Sequence, residues 1–311
     1  MEEKGGEANG SVDSRATQVR FANPSEDIES LISGVRDRIS AQGADLLSLF
    51  DTYAQEARFA RAVFDSSLRG LPPSASVLEI GAGMMLLSAQ LQREGFQVTA
   101  LEPVGEGFSH FARLQRFVTD YAGEQGIAPA ILASTAEALE RTNEFDFAYS
   151  INVMEHVQDV PRAIERAIAA VKPGAAYRFV CPNYAFPYET HFNIPIVWNK
   201  AVTRRLLRKR IENGHFIEDP IGAWNSLNWI KVSAIRRTFR NFPGAMLAFS
   251  PDIFESFLDR ALSDPIFQAR RGKLLSGLIE KLSATGALKL TRLIPCRWLP
   301  VMDCTLTKNP S

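Results

Sequence analysis

The stretch that decides the fold is Val77-Leu-Glu-Ile-Gly-Ala-Gly-Met84, an apolar run that ends in an acid and a glycine-rich turn. A second apolar run, Gln97-Val-Thr-Ala-Leu-Glu-Pro103, also ends in an acid. Such runs predict two parallel strands, and glycine in the turn lets a ligand approach the backbone closely. Because ligands bind beyond the carboxyl ends of parallel strands, we expect Glu102 to accept the ribose hydroxyls of a nucleoside cofactor.

Strand patterns alternate with helix patterns through most of the chain. The predicted strands cover residues 76–80, 98–102, 130–133, 145–151, 177–181, 245–249 and 301–307. The predicted helices cover residues 86–94, 108–122, 160–171 and 231–242. This alternation predicts an α/β fold, a Rossmann-like, doubly wound sheet of seven mostly parallel strands with helical insertions.

Four further segments complete the predicted organisation. Residues 1–20 are polar and glycine-rich, which predicts a disordered tail. Residues 21–74 carry apolar side chains at helical spacing and end in Gly70-Leu-Pro-Pro-Ser74, so we predict N-terminal helices there. The domain at 75–311 is predicted to carry a lid at 185–228, which is rich in aromatic residues, and a helical insertion at 251–293.

Composition narrows the class of protein. The 311 residues are 46% apolar, enough for a full-sized core, and 35 basic residues balance 35 acidic ones. A zero net charge lacks the usual electrostatic signature of nucleic-acid binding, so we expect no nucleic-acid partner. The scattered cysteines, the lack of a long apolar run and the lack of a signal-peptide pattern lead us to expect a cytoplasmic protein.

One basic cluster stands apart, Arg204-Arg-Leu-Leu-Arg-Lys-Arg210. A solvated helix face is the ordinary explanation for such a run. The alternative is attraction to a phosphate, to an anionic membrane surface or to RNA, and RNA ranks last because no aromatic stacking pattern accompanies the cluster. We therefore retain peripheral membrane contact through Arg204–Arg210 as a possible interaction. The sequence does not indicate an oligomeric state.

Two cofactor classes compete for the glycine turn. A dinucleotide site would need glycine at position 86, where the chain has Leu86, so the close helix packing of that motif is lost. A carboxylate at Glu79, the end of the first strand, suits a cationic amino group better than a pyrophosphate. A nicotinamide-dependent oxidoreductase and a non-catalytic protein that keeps the cofactor pocket remain as alternatives.

At these residues the chain resembles the class I S-adenosylmethionine-dependent methyltransferases, roughly over residues 76–184. Glu79-Ile-Gly-Ala-Gly83 is similar to the first motif of the family, E/D-x-G-x-G, and Glu102 resembles the ribose acid of the family. The family often has a third glycine where this chain has Met85, which bears on the seating of the methionine tail. The resemblance, closest to the small-molecule O-methyltransferase branch, implies S-adenosylmethionine held by Glu79, Gly81, Gly83 and Glu102.

The loop after the third predicted strand, Ser134-Thr-Ala-Glu137, is where the family lays a side chain beside the adenine. The resemblance therefore implies that Ala136 and Glu137 contact the adenine edge. For Glu137 the equal alternative is an acid in the first turn of a helix, where the helix dipole stabilises it. Asn152, at the end of the fourth predicted strand, is assigned to the cofactor site as well.

The fourth and fifth strands should flank the transferable methyl group, because their carboxyl ends meet at one edge of the sheet. Methyl transfer to oxygen needs alignment with the S–CH₃ bond and benefits from a base, for which histidine is the usual choice. His156 and His191 are the catalytic candidates, and the alternative for His156 is packing on the sheet at a helix start. We expect His110 to be structural, and His215 has no informative context.

Asn152-Val-Met-Glu-His156 is similar to the segment E-x-x-E-H of quinone-biosynthesis O-methyltransferases and small-RNA 2′-O-methyltransferases. In those relatives the two acids and the histidine hold a divalent metal, but here Asn152 replaces the first acid. Glu155, His156 and His191 would make a weak site, so we expect no metal. The sequence also lacks an N-P-P-Y motif, which argues against methylation of adenine or glutamine amino groups.

The predicted function is therefore transfer of a methyl group from S-adenosylmethionine to a small-molecule, sugar-linked or lipid-linked acceptor, with oxygen as the favoured acceptor atom.

Overall fold

A computed structural model describes residues 24–103, 109–213, 219–240, 242–264 and 293–310. Its α-helices are α1 Pro24–Gln42, α2 Leu47–Arg69, α3 Leu86–Arg93, α4 Ser109–Glu124, α5 Val160–Ala170, α6 Lys200–Glu212, α7 Pro220–Ser226, α8 Val232–Phe239 and α9 Ile253–Ser263. Its strands are β1 Ser76–Ile80, β2 Gln97–Leu101, β3 Ala130–Leu132, β4 Phe145–Ile151, β5 Val171–Pro182, β6 Tyr188–Glu189, β7 Ile194–Pro195, β8 Ala245–Ser250 and β9 Val301–Lys308. Short 3₁₀ turns lie at Ala44–Leu46, Ala136–Ala138 and Cys296–Trp298.

Seven strands form one sheet in the order β3-β2-β1-β4-β5-β9-β8. Strands β1 to β5 run parallel, whereas β9 pairs antiparallel with both β5 and β8. The strand order reverses at β1, which lies between β2 and β4, and such a switch point is where open α/β sheets bind ligands. The predicted Rossmann-like sheet of seven mostly parallel strands is confirmed.

Helices cover both faces of this sheet, as a doubly wound fold requires. On one face α1 to α4 pack around buried side chains such as Phe50 and Leu114. On the other face α5 and α8 pack around Ile164 and Ile235. The central strand β1 is buried along nearly its whole length, which is why it stands in the sequence as a continuous apolar run instead of an alternating one.

The fifth strand is longer than predicted. Val171-Lys-Pro-Gly174 predicts a helix stop and a turn before the strand, but β5 already begins at Val171. Val171 pairs with Phe145, and the next pair is Ala176 with Phe147, so the residues between them bulge out of the ladder. Gly174 has a φ of 79° in this bulge. The turn therefore exists, but as a bulge inside a strand whose pairing starts before it.

The described residues of the segment 185–228, predicted as a lid, form a small unit that contacts the turn after β4. Strands β6 and β7 form a two-stranded ribbon, and α6 and α7 follow it. The unit has its own apolar cluster, made by Ile194, Ile211 and Trp224.

The described part of the predicted insertion at 251–293 contains the helix α9. Residues 265–292 of that insertion, the predicted tail 1–20, the side chain of His110 and all of His215 lie outside the described residues. Within the described ranges, no helix is both long enough and apolar enough to span a bilayer.

A buried ion pair joins the antiparallel part of the sheet to the N-terminal helices. Arg178 on β5 donates from Nε and Nη2 to the two carboxylate oxygens of Asp303 on β9, at 2.9 and 2.7 Å. Its Nη1 donates to the carbonyl of Val63 and the hydroxyl of Ser67 on α2. The Asp303 side chain is fully buried, so the pair lies inside the core.

Replacing Asp303 with Ala should lower the free energy of unfolding by about 3–5 kcal/mol, because the guanidinium of Arg178 would stay buried without its counter-charge. Urea denaturation followed by circular dichroism measures the change. Asp51→Ala is the matched control: it breaks the Arg36–Asp51 pair, which is partly exposed, and should have a much smaller effect. Equal losses in the two variants would contradict the importance of the buried pair.

Candidate functional site

The turn after β1 is held by the end of β2. The amides of Gly81 and Ala82 both donate to the carbonyl of Leu101, at 2.8 and 3.2 Å. Gly81 and Gly83 have φ values of 74° and 53°, in the left-handed region that favours glycine. A Cβ at position 81 would also clash with the side chain of Val153, which follows β4. Glycine is therefore required where this turn passes between two strand ends.

Glu102 lies directly beside the turn. Its Oε2 accepts a hydrogen bond from the amide of Gly83 at 2.8 Å. Burial raises the pKa of Glu102, and the Gly83 bond opposes the effect because it stabilises the charged form. The structure thus brings together Gly81, Gly83 and Glu102, which we call the cradle. Their contact with a cofactor stays a prediction.

Glu79 takes a different position from the other predicted cofactor residues. Its side chain is only 5% exposed and accepts a hydrogen bond from the hydroxyl of Ser88 on α3. Burial raises the pKa of Glu79 to about 7, although the Ser88 bond acts in the opposite direction. Glu79 therefore joins β1 to α3 from inside the fold, and a contact with the amino group of the cofactor stays a prediction.

An aromatic pair that the sequence did not indicate closes one side of the cradle. Tyr53 of α2 and Phe111 of α4 have ring centroids 4.6 Å apart. A Cβ at Gly83 would lie 3.4 Å from Cε1 of Phe111, and Nε2 of Gln115 donates to the Gly83 carbonyl at 3.3 Å. Both rings occur at the helical spacing that is typical of core residues. The sequence therefore does not distinguish them from side chains that only pack in the core.

The two predicted adenine residues differ in what they contact. Ala136 is buried in the 3₁₀ turn after β3. The Oε1 atom of Glu137 accepts hydrogen bonds from the amides of Gln158 and Asp159, at 2.9 and 3.3 Å, where α5 begins. These bonds favour the alternative in which Glu137 stabilises a helix start, although the helix is α5 and not its own turn. The adenine contacts of Ala136 and Glu137 stay predictions.

Asn152 links the end of β4 to the N-terminal helices. Its Nδ2 donates to Oε2 of Glu56 on α2 at 3.3 Å. Glu56 also receives two hydrogen bonds from Arg260 of α9, at 2.8 and 3.1 Å. Where the metal-binding relatives have an acid, this chain therefore has an amide that faces a carboxylate from another helix. Glu56 and Arg260 were missed because their pairing joins positions that are far apart in the chain.

His156 is held by the end of α7. Its Nδ1 lies 2.8 Å from the Oγ of Ser226. Because the Ser226 hydroxyl donates to the carbonyl of Ala223, we assign the proton to Nδ1 of His156, which leaves a lone pair on Nε2. Loss of hydration and the neighbouring His191 lower the pKa of His156 to about 4, so the ring is neutral at physiological pH.

Glu189 of β6 fixes the His191 ring through Nδ1. Nδ1 of His191 lies 2.7 Å from Oε1 of Glu189, and a carboxylate can only accept, so Nδ1 is the donor. Burial alone would raise the pKa of Glu189, but the bonds from the ring and amide of His191 and the amide of Phe192 outweigh it and lower the pKa. The ring centroids of His156 and His191 are 5.4 Å apart, so the two predicted catalytic residues do meet.

Glu155 lies beside both histidines. Its side chain is fully buried, and neither carboxylate oxygen has a hydrogen-bond partner within the described part of the chain. Burial raises the pKa of Glu155 to about 7, against the effect of His191, whose Nε2 is 3.9 Å from Oε1. Asn228 fixes this turn by donating to the carbonyls of Met154 and Val157. A buried carboxylate without partners is costly, so the position favours a bound proton or cation.

The ligand atoms of Glu155, His156 and His191 all lie within 4.8 Å of one another, and we call these residues the His–Glu cluster. One carboxylate and two imidazoles, which bind metal ions in their neutral form, suit a divalent cation. The Glu189 carboxylate on Nδ1 of His191 is also the kind of outer partner that orients a metal-bound histidine. The residues therefore fit a metal, although Asn152 in place of the first acid led us to expect none.

Replacing Glu79 with Gln should flatten the dependence of stability on pH. Folding raises the pKa of Glu79 from 4.5 to about 7, so its contribution is fully present below the lower value and is lost as the pH rises through the higher one. Between about pH 5 and about pH 8, the free energy of unfolding should fall further in the wild type than in Glu79→Gln.

Urea denaturation at the two pH values measures this difference, and Glu165→Gln, at an exposed position on α5, is the control that should keep the wild-type profile. Parallel profiles for Glu79→Gln and the wild type would show that Glu79 does not hold a proton more tightly in the folded chain.

The sequence of this chain is similar to those of a known protein family and of several individual proteins. Residues 51–241 match the family model described as a methyltransferase domain. The chain is 41% identical over 282 residues to a Mycobacterium tuberculosis protein described as uncharacterized, which covers 91% of this chain and 95% of that one. It is 36% identical over 111 residues to a ubiquinone biosynthesis O-methyltransferase of Methylobacterium nodulans, which covers 35% of this chain and 42% of that protein.

Among solved structures, phosphoethanolamine N-methyltransferase 2 of Haemonchus contortus in complex with S-adenosyl-L-methionine has a TM-score of 0.47 at 12% identity, over 81% of this chain and 52% of that one. The matched family region covers more than half of the chain and contains both the cradle and the His–Glu cluster. This match to a methyltransferase model argues against the alternative function from the sequence analysis, a nicotinamide-dependent oxidoreductase. The chain belongs to the class I S-adenosylmethionine-dependent methyltransferases.

Proposed function

We propose that this methyltransferase acts on an oxygen atom of a small-molecule, sugar-linked or lipid-linked acceptor. The observation that carries the proposal is the His–Glu cluster, where a neutral imidazole, that of His156, meets a second histidine and a buried carboxylate. The cluster follows β4 and β5, the two strands that flank the expected methyl position. A hydroxyl acceptor must lose its proton as the new O–C bond forms, and a neutral imidazole can take that proton.

In the proposed complex the cradle holds the nucleoside part of the cofactor. Glu102 would accept the ribose hydroxyls, and the Gly83 bond to Oε2 already fixes its carboxylate in one orientation. The absence of side chains at Gly81 and Gly83 would let the methionine part lie against the backbone. Ala136 would line the adenine pocket, and Asn152 would lie between the cofactor and the His–Glu cluster.

The protein contributes alignment, exclusion of water and a proton acceptor. S-adenosylmethionine, when bound, supplies a methyl group that its sulfonium already activates. Ser226 and Glu189 fix the two rings through Nδ1, so that each presents Nε2 for the acceptor hydroxyl. If the cluster holds a divalent cation through Glu155, His156 and His191, that ion would supply Lewis-acid activation of the same hydroxyl.

The choice of oxygen is also supported by the similarity to the ubiquinone biosynthesis O-methyltransferase, whose name states the acceptor atom. That similarity covers 42% of the relative, so it supports the atom and not the acceptor molecule. Incubating the purified chain with methyl-labelled S-adenosylmethionine and a whole-cell extract, which contains proteins and RNA as well as metabolites, glycans and lipids, tests the proposal. Label on an oxygen of a small molecule, glycan or lipid supports it, whereas label confined to protein, RNA or nitrogen atoms contradicts it.

Replacing Glu102 with Ala should weaken S-adenosylmethionine binding by about 10-fold to 100-fold, because the variant loses hydrogen bonds to a charged acceptor. Isothermal titration calorimetry measures the dissociation constant. Glu165→Ala removes an exposed acid from α5 and should leave the affinity unchanged. Wild-type affinity in Glu102→Ala would remove this residue from the cofactor site.

Replacing His156 with Ala should lower kcat by about 10²-fold to 10⁴-fold, the range for loss of a general base, while the affinity for S-adenosylmethionine stays unchanged. Ser226→Ala keeps the ring but removes its orienting partner, and should cause a smaller loss. Turnover of the labelled acceptor and calorimetry together measure both effects. Full turnover in His156→Ala would assign the proton transfer to another group, with His191→Ala as the next variant.

The same cluster provides a test for metal. After treatment with a chelator, addition of Mg²⁺, Mn²⁺ or Zn²⁺ should raise the Tm of the wild type if the cluster holds a cation, and Glu155→Gln should lose that response. If none of these cations changes the Tm, the result would support the expectation from the sequence that the cluster binds no metal.

A further inference from the structure

Helix α6 carries an unusual concentration of positive charge for a chain whose net charge is zero. Six basic residues lie between positions 200 and 210. Among the described residues, the one acidic partner on this helix is Glu212, which pairs with Arg208 in an exposed i,i+4 contact. Arg205, Lys209 and Arg210 form no ion pair within the described part of the chain. The helix therefore presents a field of uncompensated positive charge.

The positive charge extends into a groove between α6 and α7. The groove has a volume of about 510 Å³ and is lined by Lys200, Arg204, Arg205 and Arg208, together with Trp224 and Asn225. Two hydrogen bonds tie Lys200 to the α7 side of the groove, because its Nζ donates to the carbonyl of Asn225 at 3.2 Å and also to that of Leu227. Arg204 reaches the neutral amide oxygen of Asn225 at 3.4 Å. The Arg204 guanidinium is thus held beside the groove, whose α6 side is lined by basic side chains.

Exposed apolar side chains accompany these cations. Trp198, which comes just before α6, is 89% exposed, and Leu206 on the helix is 62% exposed. Ile221, in the first turn of α7, is 47% exposed. Large apolar side chains held in water next to a cationic helix are the combination found where proteins contact the interfacial region of a bilayer, which tryptophan favours in particular.

We propose that this surface (Trp198, Lys200, Arg204, Arg205, Leu206, Arg208, Lys209 and Ile221) docks on an anionic lipid bilayer. The basic side chains would bind lipid phosphate groups, and Trp198, Leu206 and Ile221 would enter the interfacial layer. A soluble acidic partner or RNA would satisfy the charges but would leave Leu206 and Ile221 without an apolar environment. An anionic bilayer accounts for both the basic side chains and the exposed apolar side chains of the surface.

The proposed docking surface lies next to the His–Glu cluster. Asn225 lines the groove between α6 and α7. The next residue, Ser226, is hydrogen-bonded to Nδ1 of His156, so the surface and the cluster are adjacent. A bilayer on this surface would hold lipid-borne acceptors near the cluster. That consequence rests on the proposed function, whereas binding to the bilayer is measured without any methyl transfer.

Co-sedimentation of the full chain with vesicles tests the proposal. Vesicles of phosphatidylcholine with phosphatidylglycerol should bind the wild type, vesicles of phosphatidylcholine alone should bind it far less, and added salt should reduce the binding. The triple variant Arg204→Gln, Arg205→Gln, Arg208→Gln should bind the anionic vesicles at least about 30-fold more weakly. Trp198→Ala should reduce the part of the binding that survives high salt.

The matched control is Arg236→Gln, Arg237→Gln, Arg240→Gln, which removes three exposed positive charges on α8 and directly after it and should bind the vesicles like the wild type. Unchanged S-adenosylmethionine affinity in both triple variants shows that each is folded. Inorganic phosphate should displace no more protein from the vesicles than sodium chloride does at the same ionic strength. Equal binding to neutral and anionic vesicles or equal losses in the two triple variants would overturn the proposal. So would stronger displacement by phosphate than by sodium chloride at the same ionic strength, or tight binding to single-stranded RNA without binding to vesicles.

Discussion

The constraint on which the site depends is the set of hydrogen bonds between the turn after β1 and the end of β2. The Leu101 carbonyl fixes the amides of Gly81 and Ala82, and the Glu102 carboxylate fixes the amide of Gly83. Two strand ends that are adjacent in the sheet thereby become one surface with a carboxylate at its side. Because the turn has glycine at its left-handed positions, nothing larger than a hydrogen atom projects from these Cα atoms into the space above β1.

The second half of the site comes from the turn after the central strand β4 and from elements outside the seven-stranded sheet. The turn after β4 supplies Glu155 and His156, whereas β6 positions His191 through Glu189. Helix α7 and the residue stretch after it contribute Ser226 and Asn228, which hold that turn from the other side. The segment 185–228 is thus part of the construction of the His–Glu cluster, and movement of this segment would change the cluster and not just its accessibility.

The parts of the fold that the sequence predicts are those with local causes. Apolar runs, helical spacing and a glycine turn gave the strands, most helices and the cradle, because each is set by neighbours along the chain. The contacts that escaped prediction join distant positions: Arg260 bonds to Glu56, and Arg178 binds Asp303. No periodicity or motif encodes such a pair, since either residue alone has the composition of an ordinary helix or strand.

Glu137 shows a related limit. An acid near the start of a helical element has two explanations in the sequence, a ligand contact or a helix-dipole contact, and its carboxylate in fact binds the amides at the start of the next helix. The bulge in β5 has a similar origin, because Pro173 and Gly174 indicate a turn correctly but do not reveal that Val171 is already paired. In both cases the residue type is informative about local conformation, and the partner is decided by tertiary packing.

The most direct test of the account is a crystal structure of the chain with S-adenosylhomocysteine, the product form of the cofactor. The account predicts both ribose hydroxyls within hydrogen-bond distance of Glu102, the homocysteine part along the backbone of Gly81 and Gly83, and the sulfur directed toward Nε2 of His156 or His191. A ligand bound elsewhere with the cradle empty, or a sulfur directed away from the His–Glu cluster, would contradict it.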